Sequence, residues 1–174
     1  MIDIREERQS DIGVVRKLNE KAFSHAYGSA PEADLVDRLR LSAPARLSLV
    51  AVKGDRIEGH IMFSPVRIEG RTIVEGMGLA PMAVLPELQH QGIGSRLVRA
   101  GIEILKSRGS PFIIVLGHPE YYPRFGFEPA SQRGILSQWE GVPDEAFMIS
   151  ILNEKVMSGV QGVARYRGEF DEVA

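Results

Sequence analysis

The sequence of 174 residues contains no cysteine. This excludes disulfides, thiolate metal ligands and a cysteine nucleophile from the chain. An excess of positive charge is also missing, because the net charge is −2 and the basic residues are scattered. Nucleic-acid binding usually requires a basic patch, so we expect no nucleic-acid partner.

Long apolar runs are missing as well. No run approaches the roughly 18 residues of a membrane span, and the first residues, MIDIREERQSD, carry acids and no apolar segment. We therefore expect a cytoplasmic protein without a membrane partner. A hydrophobic content of 44% is sufficient for a sizeable core, so residues 1–174 are expected to form one domain.

The order of helices and strands predicts a mixed α/β fold. Helical spacing of apolar residues predicts helices that begin after a cap at Ser10 or Asp11, at Pro31, and at Gly94, the last ending near Arg108. Apolar or alternating runs predict strands over Ile2–Arg5, Leu47–Val52, Ile57–Ile68, Thr72–Leu85, Phe112–Leu116 and Ala146–Leu152.

Other segments are punctuated by proline and glycine or are polar. Pro81 predicts a bulge or splaying near residues 79–82. A short helix is expected to start at Pro119 and to end by Gly126. Residues 130–144 are predicted to be irregular, and the chain is expected to fray from Gly168.

The stretch LPELQHQGIGSRLV places two glycines between a strand and a helix. Backbone N–H groups in such a turn converge at the positive end of the helix, which favours phosphate groups. A nucleotide P-loop is excluded because Ser95 and Arg96 follow Gly94 where that motif has lysine and a hydroxyl residue. A dinucleotide loop fits weakly, because Leu97 occupies the place of its third glycine or alanine.

A third kind of anion loop fits better. Gln89-x-x-Gly92-x-Gly94 follows a strand that ends at a proline, and it resembles the Q/R-x-x-G-x-G/A loop of acyl-CoA-dependent N-acyltransferases. Residues 83–86 resemble their V-x-P strand end, and residues 122–127 resemble their later Y-x-x-x-G-F segment. Across residues 45–166, the runs GLAPMAVLPELQHQGIG, VLGHPEYYPRFGF and VPDEAFMI are similar to the YhbS-like branch of the GNAT superfamily.

This resemblance implies a central mixed, mostly antiparallel seven-stranded sheet, splayed between strands 4 and 5 and flanked by helices. It implies acetyl-CoA as cosubstrate and direct transfer of the acetyl group to a primary amine. The main chain of Met82 and Val84 would pair with the pantetheine arm, and His118 would orient that arm or act as a base. The resemblance places the diphosphate against Gln89, His90, Gln91, Gly92, Ile93, Gly94, Ser95 and Arg96, with Arg99 as a further phosphate contact or a solvated side chain.

Acetyl transfer requires an acid for the departing thiolate and removal of a proton from the amine. Tyr122 is the candidate acid, because it stands four residues before Gly126, as the tyrosine of GNAT enzymes commonly does; Tyr121 is its rival. Glu75 is the candidate base, with a solvated carboxylate as the alternative; an enzyme that captures neutral amine also remains open. The histidines His25, His60 and His90 lack metal-like spacing, so no metal is expected.

The sequence leaves two classes of function open. The first is an N-acetyltransferase whose acceptor is a small-molecule amine or a protein amine. The second is a noncatalytic acyl-CoA-binding or regulatory module. A hydrolase is disfavoured because no G-x-S-x-G motif is present. Either a monomer or a homodimer is compatible with the sequence.

Overall fold

The computed structural model describes residues 1–24 and 31–173, except the side chain of Glu172. Within these ranges the α-helices are α1 (Ile12–Ala22), α2 (Pro31–Ser42), α3 (Ile93–Ser107) and α4 (Glu154–Met157). The β-strands are β1 (Asp3–Glu6), β2 (Leu47–Lys53), β3 (Arg56–Glu69), β4 (Ile73–Val84), β5 (Phe112–Leu116), β6 (Glu128–Pro129), β7 (Ile135–Ser137), β8 (Phe147–Ile151) and β9 (Gly162–Arg165). His25, one of the three histidines considered as metal ligands, lies outside the described residues.

The strands of the described ranges belong to one mixed sheet. Seven of them follow the order β1-β2-β3-β4-β5-β8-β6, and the two short strands β7 and β9 pair with each other, with β9 also next to β3. The pairs β1–β2, β2–β3, β3–β9, β5–β8 and β6–β8 are antiparallel, whereas β4–β5 and β7–β9 are parallel. The sheet is therefore mostly antiparallel, as predicted, with two short strands in addition to the expected seven.

The parallel pairing of β4 with β5 is short. Its register joins Met77 to Ile113 and Gly78 to Ile114, while β4 itself continues to Val84. The strand runs through Pro81, and the peptide bond before this proline is cis. The pairing with β5 therefore covers only a short part of β4.

The described chain forms two compact units. Unit 1 contains residues 1–63, 80–101 and 169–173, and unit 2 contains residues 64–79 and 102–168. The strands β3 and β4 and the helix α3 each contribute residues to both units. The expectation that residues 1–174 act as one domain stays a prediction.

Unit 1 has a core between helices and strands. The apolar positions of α1 and α2 recur at helical spacing, so each helix buries one side. The buried side chains of this core are Val15, Leu18, Leu35, Val36, Leu39, Leu47, Leu49, Ile61, Phe63, Leu97 and Val98. This packing fixes α3, whose first turn follows the glycine loop.

Gly101 shows how closely α3 lies against β3. A Cβ atom at Gly101 would be 2.3 Å from Cζ and 2.4 Å from Cε2 of the fully buried Phe63. We expect Gly101→Ala to destabilise unit 1 by about 1–3 kcal/mol because the added methyl group overpacks the core. Urea unfolding measures this loss.

The matched control for Gly101→Ala is Gly13→Ala in α1. In the part of the chain that the structure describes, a Cβ atom at Gly13 meets no atom within 4 Å outside its chain neighbours and the backbone of its own helix. Since alanine is the better helix former, Gly13→Ala should leave stability unchanged or raise it. Equal stability of the two variants would contradict the close approach at Gly101.

Unit 2 is built on β5, an apolar strand of which the first four residues are buried and the last, Leu116, is 43% exposed. Its cluster of buried side chains comprises Val66, Ile68, Phe112, Ile114, Ala130, Ile135, Phe147, Ile149, Met157 and Ala164. Residue Ile135, from a segment predicted to be irregular, belongs to this cluster. The prediction that residues 130–144 are irregular is therefore wrong in part, because they include a 3-10 turn and the strand β7. The pairing of β7 with β9 could not be predicted from so short an apolar run.

Two further predictions differ from the structure. The short helix expected from Pro119 is a 3-10 turn over Tyr122–Phe125 that ends at Gly126. The end predicted to fray from Gly168 forms a 3-10 turn, and the Phe170 side chain is buried. Arg38 Nη2 also donates to the Glu169 carbonyl at 3.3 Å. Burial of one phenylalanine and this side-chain contact hold the segment in place.

Candidate functional site

The glycine loop joins β4 to α3 in unit 1. A 3-10 turn over Pro86–Leu88 follows β4, and the residues from Gln89 to Gly92 are exposed before α3 begins at Ile93. Gly92 has a φ of +89°, in the left-handed region that favours glycine. Apart from its two chain neighbours, no described residue has an atom within 4 Å of a Cβ built on Gly92, so the backbone conformation, and not packing, requires glycine here.

Side-chain amides tie the loop to the segment before it. Gln89 Nε2 donates to the Val84 carbonyl at 3.2 Å, and Gln91 Nε2 donates to the Glu87 carbonyl at 3.4 Å. His90 adopts a positive φ of +63°, which is uncommon for a residue with a side chain. These contacts give the exposed loop a defined course.

The first turn of α3 packs against β3. Ile93 is buried, and a Cβ at Gly59 of β3 would lie 2.9 Å from Ile93 Cγ2 and 3.0 Å from Leu97 Cδ1. Gly59 thus allows the start of α3 to lie close to β3. The first intrahelical bond runs from the Arg96 N–H to the Gly92 carbonyl at 3.1 Å. The N–H groups that precede it in an α-helix have no acceptor within the helix and are suited to bind an anion.

The other loop residues proposed for the cofactor also lie in unit 1. Gly94 and Ser95 are half-buried, whereas Arg96 and Arg99 are exposed on α3. On the last part of β4, Met82 and Val84 are half-buried and alternate with buried neighbours. The structure therefore brings together all the predicted cofactor-binding residues of the segment 82–96 within one unit.

Tyr122 lies in unit 2 in an aromatic environment. Its ring makes edge contacts with Tyr121, Phe125 and Phe127 at centroid distances of 5.1, 6.4 and 5.6 Å, and the side chain is buried. Burial raises the pKa of the Tyr122 phenol well above its usual value, and the neighbouring Tyr121 adds to the shift. The phenol is therefore held as a neutral hydrogen-bond donor.

Tyr121 occupies a different environment from Tyr122. It is half-buried, and the Arg124 guanidinium lies 4.7 Å from its ring centroid. Arg124 Nε also donates to the Tyr121 carbonyl at 2.9 Å. The two tyrosines are thus distinguished by burial, which the sequence could not show.

The two candidate bases, Glu75 and His118, are both exposed and both belong to unit 2. Glu75 stands two residues before the buried Met77 on β4, so alternation places the two side chains on the same strand face. The His118 carbonyl accepts the N–H groups of Tyr121 and Tyr122 at 3.1 and 3.3 Å. The main chain of His118 therefore organises the turn that carries the candidate acid.

Within residues 1–24 and 31–173, no group of three or more His, Asp or Glu side chains could hold a metal ion. Among the helices of those same ranges, none is both long enough and apolar enough to cross a membrane.

Sequence reasoning missed two structural features. Gly117 packs directly against the Tyr122 ring, and His60 forms the centre of a buried polar network in unit 1. In the sequence, the glycine before the His118-Pro119 pair could have indicated the close contact with Tyr122. A histidine within the apolar run IEGHIMF was a visible signal for the second.

Comparison with known proteins identifies the class of this chain. The family model described as the acetyltransferase (GNAT) family matches residues 13–127. The chain belongs to that family. Membership confirms the predicted family, fold and enzyme class. The chain is an acetyl-CoA-dependent N-acetyltransferase.

Three relatives illustrate this membership. The uncharacterized N-acetyltransferase YjhQ of Escherichia coli K12 is 41% identical over 141 residues, which is 79% of this chain and 75% of YjhQ. The crystal structure of YhbS from Escherichia coli in complex with CoA has a TM-score of 0.88 at 32% identity. The match covers 98% of this chain and 92% of the YhbS chain. A GNAT acetyltransferase from Brucella melitensis in complex with acetyl-CoA has a TM-score of 0.79 at 35% identity, with 98% and 99% coverage.

Proposed function

We propose that this chain, acting as a single domain, transfers the acetyl group of acetyl-CoA directly to a primary amine of a small molecule or a protein. The observation that carries the proposal is the exposed loop with Gly92 in the left-handed region at the start of α3. Two structural relatives with the same fold are complexes with CoA and acetyl-CoA. The expectations of a cytoplasmic location and of a monomer or homodimer stay predictions.

We assign to this loop the binding of the diphosphate of acetyl-CoA. Main-chain N–H groups from Gln91 to Ser95 would donate to phosphate oxygens, and the positive end of the α3 dipole would add to the attraction. Arg96 is exposed and supplies a positive charge next to these amides. The main chain of Met82 and Val84 would pair with the amides of the pantetheine arm, as an added strand would.

Tyr122 is assigned the role of general acid. When the amine attacks the thioester carbonyl, the C–S bond breaks and the departing thiolate takes the phenolic proton or a hydrogen bond from it. Burial raises the pKa of the Tyr122 phenol, which keeps it protonated and favours donation of a hydrogen bond to the departing thiolate over full transfer of the proton. Glu75 is assigned removal of the proton from the amine, and His118 remains its alternative.

Replacing Gly92 with valine is expected to weaken CoA binding by at least about tenfold, or about 1.4 kcal/mol. A β-branched residue is strained at a φ of +89°, so the loop must adopt another backbone conformation. Its N–H groups then no longer converge on one point. Calorimetric titration with CoA measures the affinity.

Gly109→Val is the matched control for the Gly92 variant. Gly109 has a φ of +84°, and among the described residues only its chain neighbours come within 4 Å of its Cβ position, but it follows the other end of α3. The control should lose comparable stability and keep its affinity for CoA. Equal loss of affinity in both variants would attribute the effect to strain in general, and absence of CoA binding by the wild type at millimolar concentration would remove the proposed function.

A noncatalytic CoA-binding module is the second candidate, favoured by the exposure of both candidate bases. Incubation of the protein and acetyl-CoA with an amine library distinguishes the two. The library contains amino acids, polyamines, aminoglycosides, a peptide with a free N terminus and a lysine peptide. An acetyltransferase releases the CoA thiol with at least one member, whereas a binding module binds CoA and releases none.

A further inference from the structure

Gly117 lies where β5 ends and contacts the ring of the proposed acid. A Cβ atom built on Gly117 would be 2.4 Å from Tyr122 Cε2, 3.0 Å from Cδ2 and 3.4 Å from Cζ. The first of these distances is far below van der Waals contact, so any side chain at this position must displace the ring. The backbone at Gly117 lies outside the left-handed region, so conformational strain is not the reason for glycine here.

The backbone of Gly117 is held by the neighbouring strand. Its N–H donates to the Ala146 carbonyl at 2.9 Å, next to the antiparallel pair formed by Leu116 and Phe147. Both β5 and β8 belong to the core of unit 2. Gly117 therefore cannot move away from the ring without breaking the end of this pairing.

The Tyr122 ring is confined on its other sides as well. Tyr121 and Phe127 contact it edge-on at 5.1 and 5.6 Å. The Tyr122 N–H is bonded to the carbonyl of His118, the residue that follows Gly117. Ring and main chain are thus fixed to the same short segment.

We propose that Gly117 is a positioning residue, which sets the place of the Tyr122 phenol by allowing its ring to rest on the main chain at the end of β5. The inference rests on the proposed acid role of Tyr122. A group that transfers a proton must lie within hydrogen-bond reach of the departing sulfur, and a misplacement of about 1 Å can cost about 10²-fold in rate. Gly117 acts on the reaction only through the ring.

The test replaces Gly117 with alanine and compares it with Tyr122→Phe, the double variant and Gly13→Ala. Gly117→Ala should lower kcat by at least about tenfold with less than about a twofold change in the KM for acetyl-CoA. The double variant should have the kcat of Tyr122→Phe alone, because the hydroxyl on which Gly117 acts is already absent. Gly13→Ala, whose Cβ meets no described atom within 4 Å outside its chain neighbours and the backbone of its own helix, should match the wild type. The amine is the library member with the highest turnover.

A spectroscopic measurement reads the ring position without an acceptor. The chain has four tyrosines, and labelling their ring ε carbons with ¹³C gives cross-peaks of which Tyr122 is assigned by its loss in Tyr122→Phe. Gly117→Ala should shift the Tyr122 cross-peak, and Gly13→Ala should not. If Gly117→Ala does not fold, Gly117→Ala combined with Tyr122→Leu, which removes the ring that the added methyl group meets, should fold again.

Three outcomes overturn the inference, and they are distinguishable. A folded Gly117→Ala with an unmoved Tyr122 cross-peak and wild-type kcat, or a combined Gly117→Ala and Tyr122→Leu variant that stays unfolded although Tyr122→Leu alone folds, shows that Gly117 does not position the ring, while the acid role survives. A Tyr122→Phe variant with wild-type kcat removes the acid role itself, and with it the kinetic purpose of Gly117. A further loss of kcat in the double variant beyond Tyr122→Phe also overturns it, because it indicates a general structural defect.

Discussion

Tyr122→Phe is expected to lower kcat by about 10²-fold or more while CoA affinity changes little. The substitution removes only the hydroxyl, and the ring can keep its edge contacts with Tyr121, Phe125 and Phe127. The thiolate must then depart without a proton donor, so the loss falls on the chemical step. Steady-state kinetics with acetyl-CoA and the best library amine measures kcat, and calorimetry with CoA measures affinity.

Tyr121→Phe is the matched control, because the two tyrosines are adjacent and differ in burial. It should retain wild-type kcat. If Tyr121→Phe loses activity and Tyr122→Phe does not, the acid is Tyr121. Since burial raises the pKa of Tyr122, deprotonation of this phenol should also not limit the rate at mildly alkaline pH.

The long elements of the fold could be predicted from the sequence because their patterns are local. The apolar stripe and terminal signals of α3 located it within one residue at each end, and Phe112–Leu116 was predicted with its observed bounds. Pro31 marked the first residue of α2. The strands β6, β7 and β9 could not be predicted, because each has at most four residues and depends on pairing with distant strands.

The site could be predicted as far as its motif extends. The glycine loop was recognised from Gln89, Gly92 and Gly94, and the left-handed conformation of Gly92 is what a glycine in such a turn permits. Contacts between positions that no motif links remained hidden. The close packing of Gly117 on Tyr122 depends on how a 3-10 turn folds back onto the end of β5.

The buried network at His60 is a second feature that only the structure shows. His60 is fully buried in unit 1; Asn19 Nδ2 lies 3.2 Å from its Nδ1, and Ser48 Oγ lies 2.9 Å from its Nε2. Ser48 Oγ donates to Glu7 Oε2 at 2.8 Å, and Arg40 pairs with Glu7 at 2.6 Å. Because Asn19 Nδ2 also donates to a backbone carbonyl, it presents a donor to His60, and the ring is neutral with its proton on Nε2.

The free energy of unfolding is expected to fall as the pH is lowered from about 6.5 towards 3, by up to about 1.4 kcal/mol per pH unit from this residue. Burial, assisted by the charge of Arg40, lowers the pKa of His60 to about 3. In this window the unfolded state binds the proton and the folded state does not, so acid favours unfolding. Above about pH 6.5 the contribution of His60 is independent of pH.

His60→Gln is expected to reduce that slope, because glutamine does not titrate, and to cost about 1–3 kcal/mol at pH 7 through unsatisfied buried partners. Urea unfolding at pH 7, 5.5 and 4.5 measures both effects. Gly13→Ala is the control, since it changes no titratable group and should leave the slope unchanged. Carboxylates such as Asp11, whose pKa is lowered chiefly by the hydrogen bond from Arg5, add a slope at lower pH, but they do so equally in all three proteins. A His60→Gln variant with the wild-type slope between pH 7 and 4.5 would show that the folded state admits a proton at His60, and the neutral network would then be wrong.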